Sequence, residues 1–356
     1  MTSMTTMAPI RQVGFAGIDT HKDTHHAAVI DIDGVVLDDR EFATTAAGSR
    51  KLIEWFGQWD IDDVGIEQTG TYGAAVTRLL TDRGYRVMEV NQPDLAVRAG
   101  QGKSDPIDAV MAAQAARTGR TQVVAKDRTG IIESIRLLQI ARHSALKARS
   151  AALVQLGDLA ITLDAALREQ LGTTNRQIMS ASLRLRYDHH SLGTPAQAAK
   201  LALRSIATRI RDLDTEIKTL DTALTALVTQ AAPRLLERPQ VGTQAAAQLL
   251  ITAGQNPDRI HNDAAFARLI GVAPIPASSG KTTRMRLHRG GDRQANKTIH
   301  MVAIGRLRNH PGAINYMTRR TAEGLSKKDT IRAMKRLITR ELYGALKADL
   351  KALDRL

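Results

Sequence analysis

Apolar and polar positions along the chain fall into three regimes. Up to Val90 the apolar residues come in short runs separated by turn signals. Val13–Asp19 (VGFAGID) reads as a buried strand, and Ala27–Asp31 and Val35–Phe42 as two more, joined by the hairpin signal Asp33-Gly34. Ser49–Trp59 has helical spacing, Val64–Glu67 is a short strand, Tyr72–Arg83 a helix and Arg86–Val90 a fifth strand. The order βββαβαβ predicts a mixed sheet with helices packed on it, an α/β front.

The middle follows a different period. From Thr129 to Thr162 the chain is rich in Ala, Leu and Arg, with no Gly between Gly130 and Gly157 and no Pro, which predicts one long helix. A polar break follows at Tyr187–Gly193, and Thr194-Pro195 supplies an N-cap and an N1 proline. Apolar residues then recur at Ala199, Leu203, Ile206, Ile210, Leu213, Ile217, Leu220, Leu224 and Leu227, in alternating steps of 4 and 3. That is a heptad seam, and it predicts a coiled coil. Its partner is either 129–162 of the same chain or a second protomer, and the second protomer is preferred. Pro233 and Pro239 close the region.

The rear begins at Gln240-Val-Gly242-Thr243, a small-residue turn entering a helix. This is the local chemistry of a helix-hairpin-helix, in which backbone N–H groups meet a phosphate. Helices are expected at Asp263–Ile270 and Ala295–Arg308, with a polar, Gly-rich loop, Ala273–Asp292, between them. The expected domains are therefore 1–125, 126–235 and 236–356, the last two mainly helical.

Charge sharpens this division. Residues 1–125 carry 12 Lys+Arg and 17 Asp+Glu, whereas 126–356 carry 38 and 19; the chain as a whole is +14. The densest stretch, 281–340, has 16 basic and 3 acidic residues. A basic rear points to a polyanion, most simply nucleic acid. Seven of the eleven aromatics precede residue 86, consistent with a compact globular front. Few remain for stacking on single bases, so contacts should fall mainly on phosphates. The absence of Cys excludes disulfides, thiolate zinc sites and cysteine nucleophiles. No apolar run is long enough to span a bilayer, and the start, MTSMTTMAPIRQ, lacks the apolar stretch of a secretory signal. A cytoplasmic protein with no membrane partner is expected, nucleoid-associated when acting.

Four acids in the front stand out by position. Asp19 ends the first strand and Glu67 the fourth, while Asp105 and Asp108 sit three apart where the chain enters a helix, on one helical face. Such a set can hold Mg²⁺, which relieves the repulsion among close carboxylates, and a two-ion site can support in-line displacement at a phosphodiester. From spacing alone, four surface acids among the seventeen fit as well. His21, His25 and His26 read as rim residues, since a zinc site needs further ligands. The second candidate is the segment Ser278-Ser279-Gly280-Lys281 with Arg284, Arg286, His288, Arg289 and Arg293. A serine in a glycine-bounded loop can approach a phosphate, and the cations can stabilise a pentacovalent phosphorane. A loop that only positions DNA is the alternative, and on these residues alone it is preferred. A P-loop is excluded, because Ile275 stands where the first glycine is required.

Four motifs occur in order: Gly17-Ile-Asp19-Thr-His-Lys, Gly65-Ile-Glu67-Gln-Thr-Gly-Thr-Tyr, Lys103-Ser-Asp105-Pro-Ile-Asp108-Ala, and Gly271-Val-Ala-Pro followed four residues later by Ser279-Gly280. With them the chain resembles the DEDD-type transposases of the insertion-sequence-110 family, from about residue 13 to 330. The resemblance implies a RuvC-like, RNase H-type front in which Asp19, Glu67, Asp105 and Asp108 coordinate Mg²⁺, with Mn²⁺ as the other candidate ion, and no nucleotide cofactor. It also implies a C-terminal transposase domain whose nucleophile is Ser279, with Ser278 as the other candidate. DNA phosphates would be bound by Lys281, Arg284, Arg286, Arg289 and Arg293, and by Gly242 and Thr243 of the hairpin. Members of the family act on donor and target DNA under the guidance of a structured non-coding bridge RNA, as homodimers that assemble into homotetramers. One departure is clear: relatives usually read Pro-Gly-Ile-Gly where this chain has Pro239-Gln-Val-Gly242. The competing expectations are a RuvC-like endonuclease that resolves DNA junctions with water as nucleophile, an actin-like kinase, and a non-catalytic binding protein. The kinase would need a Gly-rich loop where Thr20-His-Lys stands.

Overall fold

The computed structural model describes residues 12–90, 104–119, 123–256, 258–277 and 285–354. The chain divides into two compact units, one of residues up to 128 together with 253–261, the other of 129–252 with 262–356.

The first unit runs β1 (Val13–Thr20), β2 (Thr24–Asp31), β3 (Val36–Ala43), α1 (Ala46–Phe56), β4 (Asp60–Glu67), α2 (Ala74–Asp82), β5 (Arg86–Val90) and α3 (Asp105–Arg117). The five strands form one sheet in the order β3-β2-β1-β4-β5. β1 pairs antiparallel with β2, as β2 does with β3, whereas β1–β4 and β4–β5 are parallel. The mixed sheet expected from the sequence is present, and its order is consistent with an RNase H-like domain. β4 begins four residues earlier than its apolar run predicts. Its polar start is held across the sheet, where Asp63 lies opposite Arg86 and accepts from its Nε and Nη2 at 2.5 and 2.7 Å.

Alternation along β1 sends successive residues to opposite faces. Ala16 and Ile18 point to a core with Val29, Phe42, Leu52, Trp55, Phe56, Ile66 and Leu80, supplied by the sheet, α1 and α2. Burying each of the large side chains there contributes about 1.5–3 kcal/mol. Gly17 and Asp19 point to the other face, which α3 covers with buried Ala109, Ala112 and Ala113.

The segment 253–261 joins this unit through polar contacts. Asn256 Nδ2 donates to the Ala125 carbonyl at 2.9 Å. The buried Arg259 donates to the Val124 carbonyl at 3.0 Å and pairs with Glu89 at 2.8 Å.

The second unit is mostly helical: α4 (Gly130–Ile161), α5 (Ala165–Leu171), α6 (Asn175–Arg184), α7 (Pro195–Ala231), α8 (Pro233–Leu236), α9 (Thr243–Ala253), α10 (Asp263–Leu269), α11 (Arg293–Asn309), α12 (Pro311–Ala322) and α13 (Lys327–Leu353). A two-stranded antiparallel ribbon, β6 (Pro274–Pro276) with β7 (Met285–Leu287), lies between α10 and α11. α4 and α7 pack along one another, tied by Arg142–Asp221 and Arg149–Asp214 ion pairs. Every seventh residue of the seam, Leu203, Ile210, Ile217 and Leu224, is buried, while Ile206, Leu213, Leu220 and Leu227 are half-buried. The seam thus packs on α4 of the same chain, and not on the second protomer that was the preferred expectation.

Two features of the rear differ from the sequence reading. Ala273–Asp292, expected as a loop, is framed by the ribbon. α12 and the 27-residue α13 were not expected; α13 is the last helix described, its buried face formed by Met334, Ile338, Leu342, Leu346 and Leu350.

Candidate active site and nucleic-acid interface

The acidic site is built on two glycines. A Cβ at Gly17 would lie 2.1 Å from the Ala109 carbonyl oxygen and 2.2 Å from the Ala113 nitrogen; one at Gly65 would lie 2.1 Å from the Ala112 carbonyl oxygen. Only bare backbone lets α3 cross β1 and β4 this closely. Asp19 and Glu67 lie two residues beyond these glycines and so share their face. The close crossing brings the first turn of α3, with Asp105 and Asp108, over the end of β1.

Asp19 and Asp108 are buried, at 8% and 3% exposure, while Asp105 is half-buried at the helix start. Burial pushes the Asp19 carboxyl above its usual range, and the charges of Asp108 and Asp105 push it the same way; His21 opposes them. Such a carboxylate gains from a cation. Glu67 is half-buried at the end of β4, and Thr20 Oγ1 donates to its carbonyl at 3.1 Å.

His21 is exposed at the rim, as expected, and its imidazole also reaches the acids. Its Nε2 lies 3.1 Å from Asp19 Oδ2 and 3.3 Å from Asp105 Oδ1. One ligand atom from each of Asp19, His21 and Asp105 falls within 4.8 Å of the others. The signal was present in the spacing, since His21 stands two residues after Asp19 and shares its side of the strand end. His25 is buried on β2, and His26 pairs with Asp39 at 2.7 Å.

In the second unit, Ser278, Ser279, Lys281 and Arg284 lie outside the described residues. The residues on either side of them meet. Gly271 has φ 68°, and a Cβ at Gly291 would come 2.2 Å from its nitrogen, so the two ends of the segment meet through glycine backbone. Asn296 Nδ2 donates to the Ile270 and Gly271 carbonyls at 3.0 and 2.7 Å. The buried Lys335 holds Asn296 Oδ1 at 2.5 Å. Asp292 caps α11, accepting from Gln294 and Ala295, and its other oxygen accepts from Thr252. Arg286 is exposed on β7, Arg289 is exposed, and Arg293 is the exposed first residue of α11.

A cavity of about 590 Å³ opens beside the ribbon. Arg286, Arg320, Arg332, Lys335 and Arg336 line it, against the single carboxylate of Asp329. Two lining donors, Arg320 Nε and Arg336 Nη1, are buried with no hydrogen-bond partner among the described residues. Burial and the charge of Arg332 push the Lys335 amine below its usual range.

Gly242 and Thr243 border a second, polar cleft of about 600 Å³, with Arg142, His143 and Lys297. Burial lowers the His143 pKa, and the charges of Arg142 and Lys297 add to it. Gln240, where relatives carry glycine, adopts φ 61°. Its side chain lies against the face of Gly305, and Arg306 holds the preceding Pro239 carbonyl at 3.0 Å. The turn therefore keeps a left-handed residue even though the glycine is gone. No helix among the described residues is long and apolar enough to cross a membrane.

An RNase H-like sheet with acids gathered where a helix crosses it, carried on a chain with a basic helical unit, defines a nucleic-acid-processing enzyme. Comparison with known proteins specifies which. Residues 16–160 match the transposase model of the IS110 DEDD type, and residues 232–318 match the model described as "Transposase IS116/IS110/IS902 family". The chain is also 23% identical over 362 residues to the "Insertion element IS110 uncharacterized 43.6 kDa protein" of Streptomyces coelicolor, covering 87% of this chain and 88% of that protein. The chain belongs to the IS110 family of DEDD transposases and is an enzyme that cuts and rejoins DNA.

Proposed function

We propose that this transposase moves its insertion sequence by transesterification through a serine–DNA intermediate, with a structured non-coding RNA choosing donor and target DNA. The observation that carries the reading is the convergence of Asp19, Asp105 and Asp108 where α3 crosses β1. It is supported by the backbone contact between Gly271 and Gly291, which flank Ser279 in sequence.

The residues fit a divalent cation: Asp19, Glu67, Asp105 and Asp108 are hard oxygen donors, and the Asp19 carboxyl, raised first by burial and then by the charges of Asp108 and Asp105, gains from a cation. Asp19, Glu67, Asp105 and Asp108 would hold Mg²⁺ or Mn²⁺, which would supply charge stabilisation to a phosphodiester bound there. In the reaction, the Ser279 hydroxyl loses its proton and its Oγ forms a bond to phosphorus. The phosphorus–oxygen bond to the neighbouring nucleotide breaks, and that oxygen takes up a proton. A strand hydroxyl then attacks the same phosphorus and releases Ser279, so bond energy is conserved and no nucleotide cofactor is consumed. Lys281, Arg284, Arg286, Arg289 and Arg293 neutralise backbone phosphates around the serine, while Gly242 and Thr243 receive a phosphate at the start of α9. The enzyme assembles as dimers pairing into tetramers and acts on DNA in the cytoplasm.

Strand-transfer assays on denaturing gels test this. Ser279→Ala should abolish both product and the covalent protein–DNA species while leaving DNA and RNA binding intact. Full recombination by that variant would remove the serine from the reaction, and free 5′-phosphate ends without a covalent species would favour water as nucleophile.

A further inference from the structure

We propose that His21 is a nitrogen ligand of the acidic site, which makes this site prefer Mn²⁺ to Mg²⁺. The inference rests on the cation-site reading above and adds a residue that the four-acid motif does not contain.

Three observations lead to it. First, the His21 backbone is fixed immediately after β1 by a turn in which its N–H donates to the Thr24 carbonyl at 3.0 Å. Secondly, the imidazole is not directed to solvent alone: Nε2 lies 3.1 and 3.3 Å from oxygens of two different carboxylates, one on β1 and one on α3. Neighbouring ligand atoms of an octahedral cation with bonds of roughly 2.1 Å stand roughly 3 Å apart, so these separations fit ligands on one ion as well as they fit the hydrogen bond between His21 and Asp19. Thirdly, the ligand atoms of Asp19, His21 and Asp105 all lie within 4.8 Å of one another, a donor set of one imidazole and two carboxylates. Carboxylates alone suit Mg²⁺, whereas an imidazole raises affinity for transition ions over Mg²⁺.

The competing account of the same distances is an imidazolium that sits between Asp19 and Asp105 as a counter-charge and leaves when a cation arrives. The two accounts predict opposite signs. Removing a ligand weakens Mn²⁺ binding; removing a competing cation strengthens it.

The test uses the full chain with Mn²⁺ alone as the probe, titrated by electron paramagnetic resonance, with pulsed spin-echo spectra of the bound ion. The wild type should show ¹⁴N modulation from a directly bound imidazole. His21→Gln should lose that modulation and bind Mn²⁺ at least about tenfold more weakly, since even outer partners of a metal ligand are worth that much. Its Mg²⁺ affinity, read by competition, should change far less. His21→Asp should recover binding without the nitrogen signal. Because Trp55 and Trp59 both lie in the first unit, their fluorescence reports whether each variant is folded. A wild type without ¹⁴N modulation, a His21→Gln protein that keeps it, or tighter Mn²⁺ binding by His21→Gln each overturns the proposal. Asp19→Asn separates the two readings. If it abolishes Mn²⁺ binding while His21→Gln leaves binding and spectrum unchanged, the carboxylate site stands and the histidine ligand falls. If Asp19→Asn binds Mn²⁺ as the wild type does, both fall.

Discussion

Gly17→Ala adds one methyl group at the point where α3 crosses β1. That methyl carbon would stand 2.1 Å from the Ala109 oxygen and 2.2 Å from the Ala113 nitrogen. Ordinary contact begins near 3.4 Å, so the helix must retreat by about 1.3 Å. Both clashing atoms are backbone, and no rotamer change relieves them. The cost should reach the upper end of overpacking, about 3 kcal/mol. The same retreat carries Asp105 and Asp108 away from Asp19, and a displacement near 1 Å costs on the order of 100-fold in rate where reacting groups must be held in register. Gly65→Ala meets the Ala112 oxygen at 2.1 Å and forces the same movement. The two substitutions should therefore be strongly non-additive, since one retreat accommodates both. The assay is urea unfolding followed by tryptophan fluorescence, which reports the first unit because Trp55 and Trp59 both lie in it, alongside Mn²⁺ binding. Wild-type stability and wild-type Mn²⁺ affinity in Gly17→Ala would refute the close-crossing account.

Three further outcomes follow from the same structure. Burial first, then Asp108 and Asp105 against the opposing His21, raises the Asp19 pKa, so the folded state binds this proton more tightly than the unfolded chain and stability falls as pH rises above about 3.8; in chelator at pH 7, Asp19→Asn should unfold at higher urea than the wild type, the gap should shrink towards pH 4, and an unchanged midpoint would contradict the shift. Asp349 is fully buried at its side chain and accepts from the Arg234 and Leu235 N–H groups at 3.2 and 3.0 Å, so Asp349→Ala should cost about 3 kcal/mol, read as faster hydrogen exchange at 234–235 and a lower melting temperature. Gln240→Gly relaxes the left-handed backbone at φ 61° and should gain about 0.5 kcal/mol net of the added freedom of the unfolded chain; Gln240→Ala, which keeps the strain, should not raise the melting temperature.

Much of the first unit was legible because its strands carry short apolar runs and its turns carry Asp-Gly and Gly signals. The period of two also placed Asp19 at the end of a buried strand. The rear was less legible. α13 has Lys or Arg at eight of its 27 positions, so its buried stripe is thin against a charged background. The ribbon β6–β7 has only three residues per strand, two of them prolines, and no alternation of that length separates from loop. The seam of α7 was clear, but a heptad repeat says only that a helix has a partner. That α4 of the same chain covers it depends on tertiary contacts such as Arg142–Asp221, which join positions 79 residues apart. The inclusion of 253–261 in the first unit had no signal of its own, because it rests on single polar contacts to the Val124 and Ala125 carbonyls.

The candidate site shows why acids alone were an ambiguous signal. Four acids among seventeen can be chance; four acids of which two follow a glycine by two residues cannot be read so freely, because the glycine states that something packs against that face. At Gly17 and Gly65 it is α3, and Asp19, two residues on from Gly17, then lies beside the first turn of that helix with Asp105 and Asp108. The same logic operates in the rear, where Gly271 and Gly291, on either side of the segment that contains Ser279 in sequence, meet backbone to backbone. At both places the glycine sets where a helix or loop end must lie, and the chemical group is placed by counting from it. A change that keeps every acid and the serine but fills either glycine contact should therefore disable the site as surely as removing a catalytic side chain.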